Sequence, residues 1–318
     1  MIIKSLIIAS IILDLLGLDS LSHRFDRAII SEEYSPSQSA VASNISLSLP
    51  DILPRPIVSP TSSQPQILAK HYLLADADTD KIIIKQSPKE RVPIASTTKI
   101  MTAVVVLENY DLDDVVTVSE RAAYQIGADA FLRVGEQITV RSLLKALLIK
   151  SGNDSAYALA EHINSSGETG TGKFVGLMNQ KAKELGLVDT DYRDPAGLDT
   201  TGYSSAFDLY LVTKHALKNP IFADIVKTEH AVVKDVDGSI FHELKNSNRL
   251  VGEYQYSGAI GVKTGYMPEA GHILVSAARR DGHTLVGVVV DTFADTAPAS
   301  ADESRKLLDW GFQNILWR

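Results

Sequence analysis

Ser96 and Lys99 stand three residues apart in IASTTKIM (residues 94–101), just before a run of apolar residues. A serine hydroxyl is a poor nucleophile until something takes its proton. A lysine can take it when burial or a neighbouring charge lowers its pKa, because desolvation disfavours the ammonium. If a helix starts near Ser96, both side chains lie on one face of its first turn. The helix N-terminus adds backbone N–H groups and a positive dipole end, suited to holding an oxyanion. Taken alone the spacing is weak, since a helix cap followed by a solvated lysine produces the same pattern.

Two further stretches strengthen it. Ser151-Gly152-Asn153 falls in a break between two helical patterns, where a short loop can project Ser and Asn side chains into a cleft. Lys263-Thr264-Gly265, followed by Tyr266, falls in a strand-like run. A glycine there lets a substrate backbone approach the strand edge. Ser-x-x-Lys, Ser-x-Asn and Lys-Thr-Gly, in that order, form the signature set of penicillin-recognising serine enzymes.

The elements that must carry these residues are visible as periodicity. HYLLADADTDKIIIKQ reads as a hairpin, two apolar runs around an Asp/Thr/Asp turn. In TKIMTAVVVLENY, Ile100, Ala103, Val104 and Leu107 recur at helical spacing. Helices are also expected over about 140–149 and 154–163, in FVGLMNQKAKELGL up to Gly186, and in SSAFDLYLVTKHALKN up to Pro220. AIGVKTGY, GHILVSAARR and HTLVGVVVDT read as strands, with Asp281-Gly282 as the turn between the last two. ADESRKLLDWGFQNILW is expected to close the chain as a helix. Strands at both ends and helices between them predict one α+β domain with a mostly antiparallel sheet.

Composition narrows the class. The chain has 318 residues, 45% hydrophobic and 22% charged, which supports a packed core. The net charge of −8 and the lack of a basic patch argue against nucleic acid as a partner. The absence of cysteine removes disulfides, thiolate metal sites and a cysteine nucleophile together. At the start, Lys4 precedes an apolar run from Leu6 to Leu13 that Asp14 interrupts. The run is too short for a membrane span and fits an export signal or N-terminal anchor over residues 1–21. Residues 22–66 are rich in serine and proline and read as a linker, leaving 67–318 as the folded domain.

From about His71 onward the chain resembles the serine D-Ala-D-Ala carboxypeptidases, the low-molecular-mass penicillin-binding proteins. IASTTKIMTA, LLIKSGNDSAYALAEHI, FVGLMNQKAKELGL, DPAGLDTTGYSSAFDL, GVKTGY and LLDWGF carry the resemblance in the family's order. It implies an antiparallel sheet flanked by helices, an all-helical lobe, and an active site between them. It implies that Ser96 is acylated by the penultimate D-Ala of a peptidoglycan stem peptide, releasing the terminal D-Ala, with Lys99 as base. Ser151 and Asn153 would relay a proton and bind the peptide. Lys263 and Thr264 would hold the terminal carboxylate, Gly265 would open the strand edge, and the N–H groups of Ser96 and Tyr266 would form the oxyanion hole. β-Lactams would be inhibitors, and no metal or cofactor is called for. Two departures stand out. The chain ends at Arg318, just after the helix that holds LLDWGF, where the family often continues into a second domain and a membrane helix; if the N-terminal segment is retained, it could supply the anchor instead. Ala196 occupies the place before Gly-Leu where the family often has histidine.

Other readings compete. A D,D-endopeptidase would cut peptide cross-links with the same residues, and a peptidoglycan-binding module would not need Ser96, Lys99 and Lys263 intact. A class A β-lactamase needs a further glutamate for deacylation, and no Glu-x-x-Leu-Asn follows Asn153. None of the eight histidines makes His-Glu-x-x-His, and no Gly-x-Ser-x-Gly is present. GETGTG (167–172) lacks the ending of a phosphate loop and reads as a surface loop; Asp76, Asp78 and Asp80 read as a polar turn; Arg279 and Arg280 read as a charged pair entering a turn. If Lys99 is the base, Lys99→Ala and Lys99→Arg proteins remain folded by circular dichroism and lose labelling by a fluorescent penicillin.

Overall fold

The computed structural model describes residues 55–163 and 167–318. The proposed export segment and most of the proposed linker lie outside the described residues. The sheet elements run in chain order as β1 (Pro56–Val58), β2 (Ala69–Asp76) and β3 (Lys81–Gln86). A 3-10 turn at Ala95–Thr98 opens α1 (Lys99–Asn109). Next come β4 (Val115–Thr117), α2 (Glu120–Ala123), β5 (Gln137–Thr139) and α3 (Val140–Lys145), which continues as a π-helical turn over Ala146–Lys150. The helices α4 (Asn153–His162), α5 (Gly167–Glu184), α6 (Ala206–Leu217) and α7 (Pro220–Val226) follow. The chain then returns to strands β6 (His230–Lys234), β7 (Phe241–Lys245), β8 (Ala259–Met267), β9 (Gly271–Arg280) and β10 (His283–Thr292), and ends with α8 (Ala299–Asn314) and β11 (Ile315–Trp317). Among the described residues no helix is long and apolar enough to cross a membrane.

Five strands form one antiparallel sheet in the order β3-β2-β10-β9-β8. The sheet is covered on both faces, which is why β9 and β10 read as near-continuous apolar runs rather than alternations. Leu73, Ala75, Val275, Val286 and Val288 pack into the large core shared with the helices. Their neighbours Tyr72, Leu74, Leu274, Leu285 and Val289 pack with Leu307, Leu308 and Trp310 of α8. The two-residue period of a strand divides the residues in this way. Gly311 lets α8 lie close, since a Cβ there would stand 2.6 Å from Leu285 and 2.8 Å from Leu74.

The helical lobe is built around α1. Lys99 to Val106 are all buried, so this helix is enclosed on every side. That single fact places a lysine in the interior.

Three expectations change. Residues 55–66 belong to the fold rather than to a linker. β1 pairs with β11 in register Pro56↔Trp317, Trp310 Nε1 donates to the Ser63 carbonyl at 2.7 Å, and Lys81 Nζ donates to the Pro56 carbonyl at 2.9 Å. The last helix accordingly stops at Asn314 instead of running to Trp317. The β1 and Ser63 partners lie more than two hundred residues away, beyond the reach of local pattern. GETGTG is the first turns of α5, not a loop. Gly170 sits against the backbone of Glu161, where a Cβ would be 3.0 Å from the carbonyl oxygen, so close packing of two helices favours a residue of low helix propensity. A chain beginning at Ile67 should be about 1–3 kcal/mol less stable than one beginning at Arg55, from a few lost hydrogen bonds, as read by denaturant unfolding.

Candidate active site

Ser96 lies in the 3-10 turn at the head of α1, preceded by Ala95 with φ of 45°. A left-handed alanine is strained by about 1–3 kcal/mol and persists only where its surroundings hold it. Thr97 holds it from one side, donating N–H and Oγ1 to the Ile94 carbonyl at 3.1 and 2.6 Å. From the other side the 194–199 turn closes on it. Gly197, with φ of 79°, passes so close that a Cβ would stand 1.9 Å from the Ala95 carbonyl oxygen. Asp194 shapes this turn by accepting the N–H groups of Ala196, Gly197, Leu198 and Asp199 at 2.6–2.9 Å.

Lys99 is fully buried, and its Nζ has three oxygen neighbours. Ser96 Oγ is at 2.8 Å, Asn153 Oδ1 at 2.6 Å and the Ala196 carbonyl at 2.8 Å. Burial pulls its pKa down to about 7, opposed by the negative charges of Asp194 and Asp154. A neutral amine has two N–H donors and one lone pair. The carbonyl oxygens of Asn153 and Ala196 can only accept, so they take both donors. The lone pair is left for the hydroxyl of Ser96, the one neighbour able to donate. The site thus selects the orientation a proton acceptor needs. Ala196 serves through its backbone, so the departure from histidine at that place leaves this contact intact.

Ser151 and Asn153 occupy the break after the π-helical turn, with Ser151 at φ of 69° and Asn153 opening α4. Asn153 is fixed by donating Nδ2 to the Ile126 carbonyl at 2.5 Å and its N–H to the Ala128 carbonyl at 2.7 Å. Its neighbour Asp154 accepts from Ala130 N and Leu132 N at 3.0 and 3.1 Å. Burial, then Asp129 beside it, pushes the Asp154 carboxyl up to about 6.

Across the cleft, β8 is the open edge of the sheet. Lys263 is buried and donates Nζ to Ser151 Oγ at 2.8 Å and to the Thr264 carbonyl at 3.0 Å. Burial and then the charge of Lys99 press its pKa well down. Gly265 has a role beyond the expected one. A Cβ on it would stand 3.2 Å from the Ile94 carbonyl and 3.4 Å from Ser96 N, so the glycine lets β8 close on the Ser96 turn itself. Ser96 and Tyr266 both line the cleft where the two elements meet. Tyr266 is exposed and stacks on His272 with ring centroids 4.3 Å apart.

Together Ser96, Ser151, Asn153, Thr264, Gly265 and Tyr266 line a cleft of about 530 Å³, with Lys99 and Lys263 buried beneath them. A larger groove of about 920 Å³ lies between α6, α7 and the far end of the sheet, lined by Lys214, Lys218, Lys227 and Arg279. It holds no nucleophile–base pair. Asp76, Asp78 and His283 bring ligand atoms within 4.8 Å of one another. Both Asp76 oxygens are already taken, by Thr79 N and Oγ1 and by Trp317 Nε1, so a polar turn accounts for them.

Four residues escaped the reading of the sequence. Asp194 and Asp154 act through backbone N–H groups and charge, which no spacing reveals. Ser247 lines the cleft with Oγ 2.7 Å from Thr264 Oγ1. Its flanking asparagines in NSN, which make Asx turns, were the available signal. His272 enters only through β-pairing with Tyr266.

Residues 59–294 match the family model described as D-alanyl-D-alanine carboxypeptidase. The chain is 38% identical over 250 residues to D-alanyl-D-alanine carboxypeptidase DacF of Bacillus subtilis, covering 77% of this chain and 62% of that protein. It is 37% identical over 263 residues to a D-alanyl-D-alanine carboxypeptidase of Streptomyces sp. strain K15, covering 79% of this chain and 89% of that one. The crystal structure of the Streptomyces K15 DD-transpeptidase superposes with a TM-score of 0.75 at 37% identity, covering 79% of this chain and all of that one.

The lowered pKa of Lys99 fixes a sign. The unfolded chain keeps this proton up to about 10.5 and the folded chain only to about 7. Between those values the unfolded state binds more protons, so Lys99 makes stability rise with pH across that window. Acylation of Ser96 should rise through pH 7 and level off above it, as measured by stopped-flow labelling with a fluorescent penicillin.

Proposed function

The chain belongs to the D-alanyl-D-alanine carboxypeptidase family of serine peptidases, and from that premise we propose that it removes the terminal D-Ala from peptidoglycan stem pentapeptides through an acyl-enzyme on Ser96. The observation that carries this reading is the buried Lys99 amine 2.8 Å from Ser96 Oγ, with its other two neighbours both acceptors.

In the proposed reaction the peptide lies along the open edge of β8. Lys263 and the hydroxyl of Thr264 hold its terminal carboxylate. Ser96 Oγ attacks the carbonyl carbon of the penultimate D-Ala while Lys99 takes the hydroxyl proton. The oxyanion forms against the N–H groups of Ser96 and Tyr266. The C–N bond then breaks, and the leaving amine takes its proton from Lys99 by way of Ser151. Free D-Ala departs. Water attacks the ester, its proton passes to Lys99, and Ser96 is released with its hydroxyl restored. A β-lactam enters the same path, but its leaving nitrogen stays attached and obstructs the water. With a peptidoglycan substrate goes a place at the cell envelope, reached through residues 1–21 as an export signal or as a retained N-terminal anchor.

The acyl-enzyme can also pass its acyl group to an amine, and the similar Streptomyces K15 structure is that of a DD-transpeptidase. An endopeptidase would begin from a cross-linked peptide instead. Mass spectrometry of muropeptides, with a Ser96→Ala control, separates these. Loss of one D-Ala from pentapeptides is the expected outcome. Conversion of dimers to monomers would move the assignment to endopeptidase, and new cross-links to transpeptidase. No change from a folded protein would leave a binding module.

A further inference from the structure

Glu136 and His242 form the one ion pair among the described residues with both side chains removed from solvent, at 0% and 3% exposure. His242 Nε2 lies 2.8 Å from Glu136 Oε1. The contact with Glu136 raises the histidine pKa against the opposing effect of burial, and Asp154 adds a smaller charge in the same direction. Taking a pair of charges out of water offsets most of their attraction, so such a pair adds little to stability by itself. Its placement points to another use.

Glu136 ends the irregular segment 125–136, which forms one wall of the cleft through Gly127 and Ala128. Its C-terminal end is tied to Val118 by backbone hydrogen bonds, Gly135 N to the Val118 carbonyl and Val118 N to the Glu136 carbonyl, both at 2.8 Å. The rest of the segment lies outside any helix or strand and depends on a few individual contacts. Asn153 takes the carbonyls of Ile126 and Ala128, Asp154 takes the N–H groups of Ala130 and Leu132, and Glu136 Oε2 takes the N–H of Arg133 at 2.9 Å. His242 lies on β7, whose continuation reaches Ser247 on the opposite wall. There Ser247 N donates to the Ile149 carbonyl at 3.0 Å and its hydroxyl meets Thr264. The buried pair therefore closes a ring of contacts that runs from Asn153, through the segment and β7, to Thr264.

We propose that Glu136 and His242 are positioning residues for the reaction on Ser96: their buried contact fixes the 125–136 segment against β7, and so sets the separation of Asn153 and Thr264 across the cleft. This rests on the acyl-enzyme reading above. Neither residue touches the substrate. A displacement of either wall by about 1 Å is enough to cost up to a hundredfold in rate.

The test uses the full chain with Glu136→Gln, His242→Gln, the double Gln variant, and a Glu136→Leu/His242→Leu double variant. The last replaces the buried pair with apolar side chains, so that neither member faces a lost partner, while the Arg133 N–H gives up its acceptor. Acylation by a fluorescent penicillin is followed from about pH 5.5 to 9, spanning the Lys99 titration, at a temperature where circular dichroism shows each protein folded. Each Gln variant should slow acylation by about tenfold or more, with the double no slower than the slower single, because the two residues act through one contact. The Leu pair should be folded and equally slow. The rise near pH 7 should keep its midpoint in every variant while the plateau falls, since Lys99 itself is untouched. A folded Leu pair that acylates within about twofold of the parent chain would overturn the proposal, as would independent, multiplying effects of the two Gln changes. A parent chain that is not labelled would overturn the acyl-enzyme reading and this inference with it.

Discussion

The Lys99 amine needs a water-free place, and much of the structure around the cleft can be derived from that need. A charged ammonium in the interior is expensive, and the chain resolves this by letting the amine go neutral rather than by pairing it. The neutral amine then serves as the proton acceptor for a serine with no histidine to assist it. Asp194 and Asp154 keep the shift moderate. Without their charges burial would carry the pKa further down, and the amine would become a weaker base. The working value near 7 is a balance between desolvation and two buried carboxyl groups.

The same need explains the strain around Ser96. Ala95 in a left-handed conformation, Ser151 in another, and a π-helical turn at 146–150 all lie within this site. Each is unfavourable locally and is held by packing elsewhere. Gly197 and Gly265 permit that packing, because each brings a backbone against the Ser96 turn where a Cβ would collide or crowd. The two halves of the fold contribute differently. The helical lobe supplies burial, and the sheet supplies an edge strand, β8, for an extended ligand.

Much of this was legible from residue types and spacing. The three motifs fall on a turn, a helix break and an edge strand as their contexts suggested. The hairpin of β2 and β3, the helix capped by Ser205 and the turn at Asp281-Gly282 were read from local signals that act within a few residues. Illegible parts share one property. β1 with β11, Gly170 of α5 against Glu161, and Ser247 against Thr264 are all meetings of segments separated in sequence. The composition of residues 55–66 resembles a linker because a three-residue edge pairing needs no periodic pattern.

By itself the sequence determined which residues could act: a serine and lysine on one turn, a second serine with an asparagine, and a lysine and threonine on a strand. It also determined that α1 would carry an apolar face through Ile100, Ala103, Val104 and Leu107; that the helix is buried as far as Val106 came from its packing. Only the tertiary structure decided the state of the lysine. Its partners come from Asn153, 54 residues away, and Ala196, 97 residues away, and its opposing charges from Asp154 and Asp194. A pKa depends on everything within several ångströms of the proton and on how much water remains there. Neither quantity is carried by any short stretch of chain.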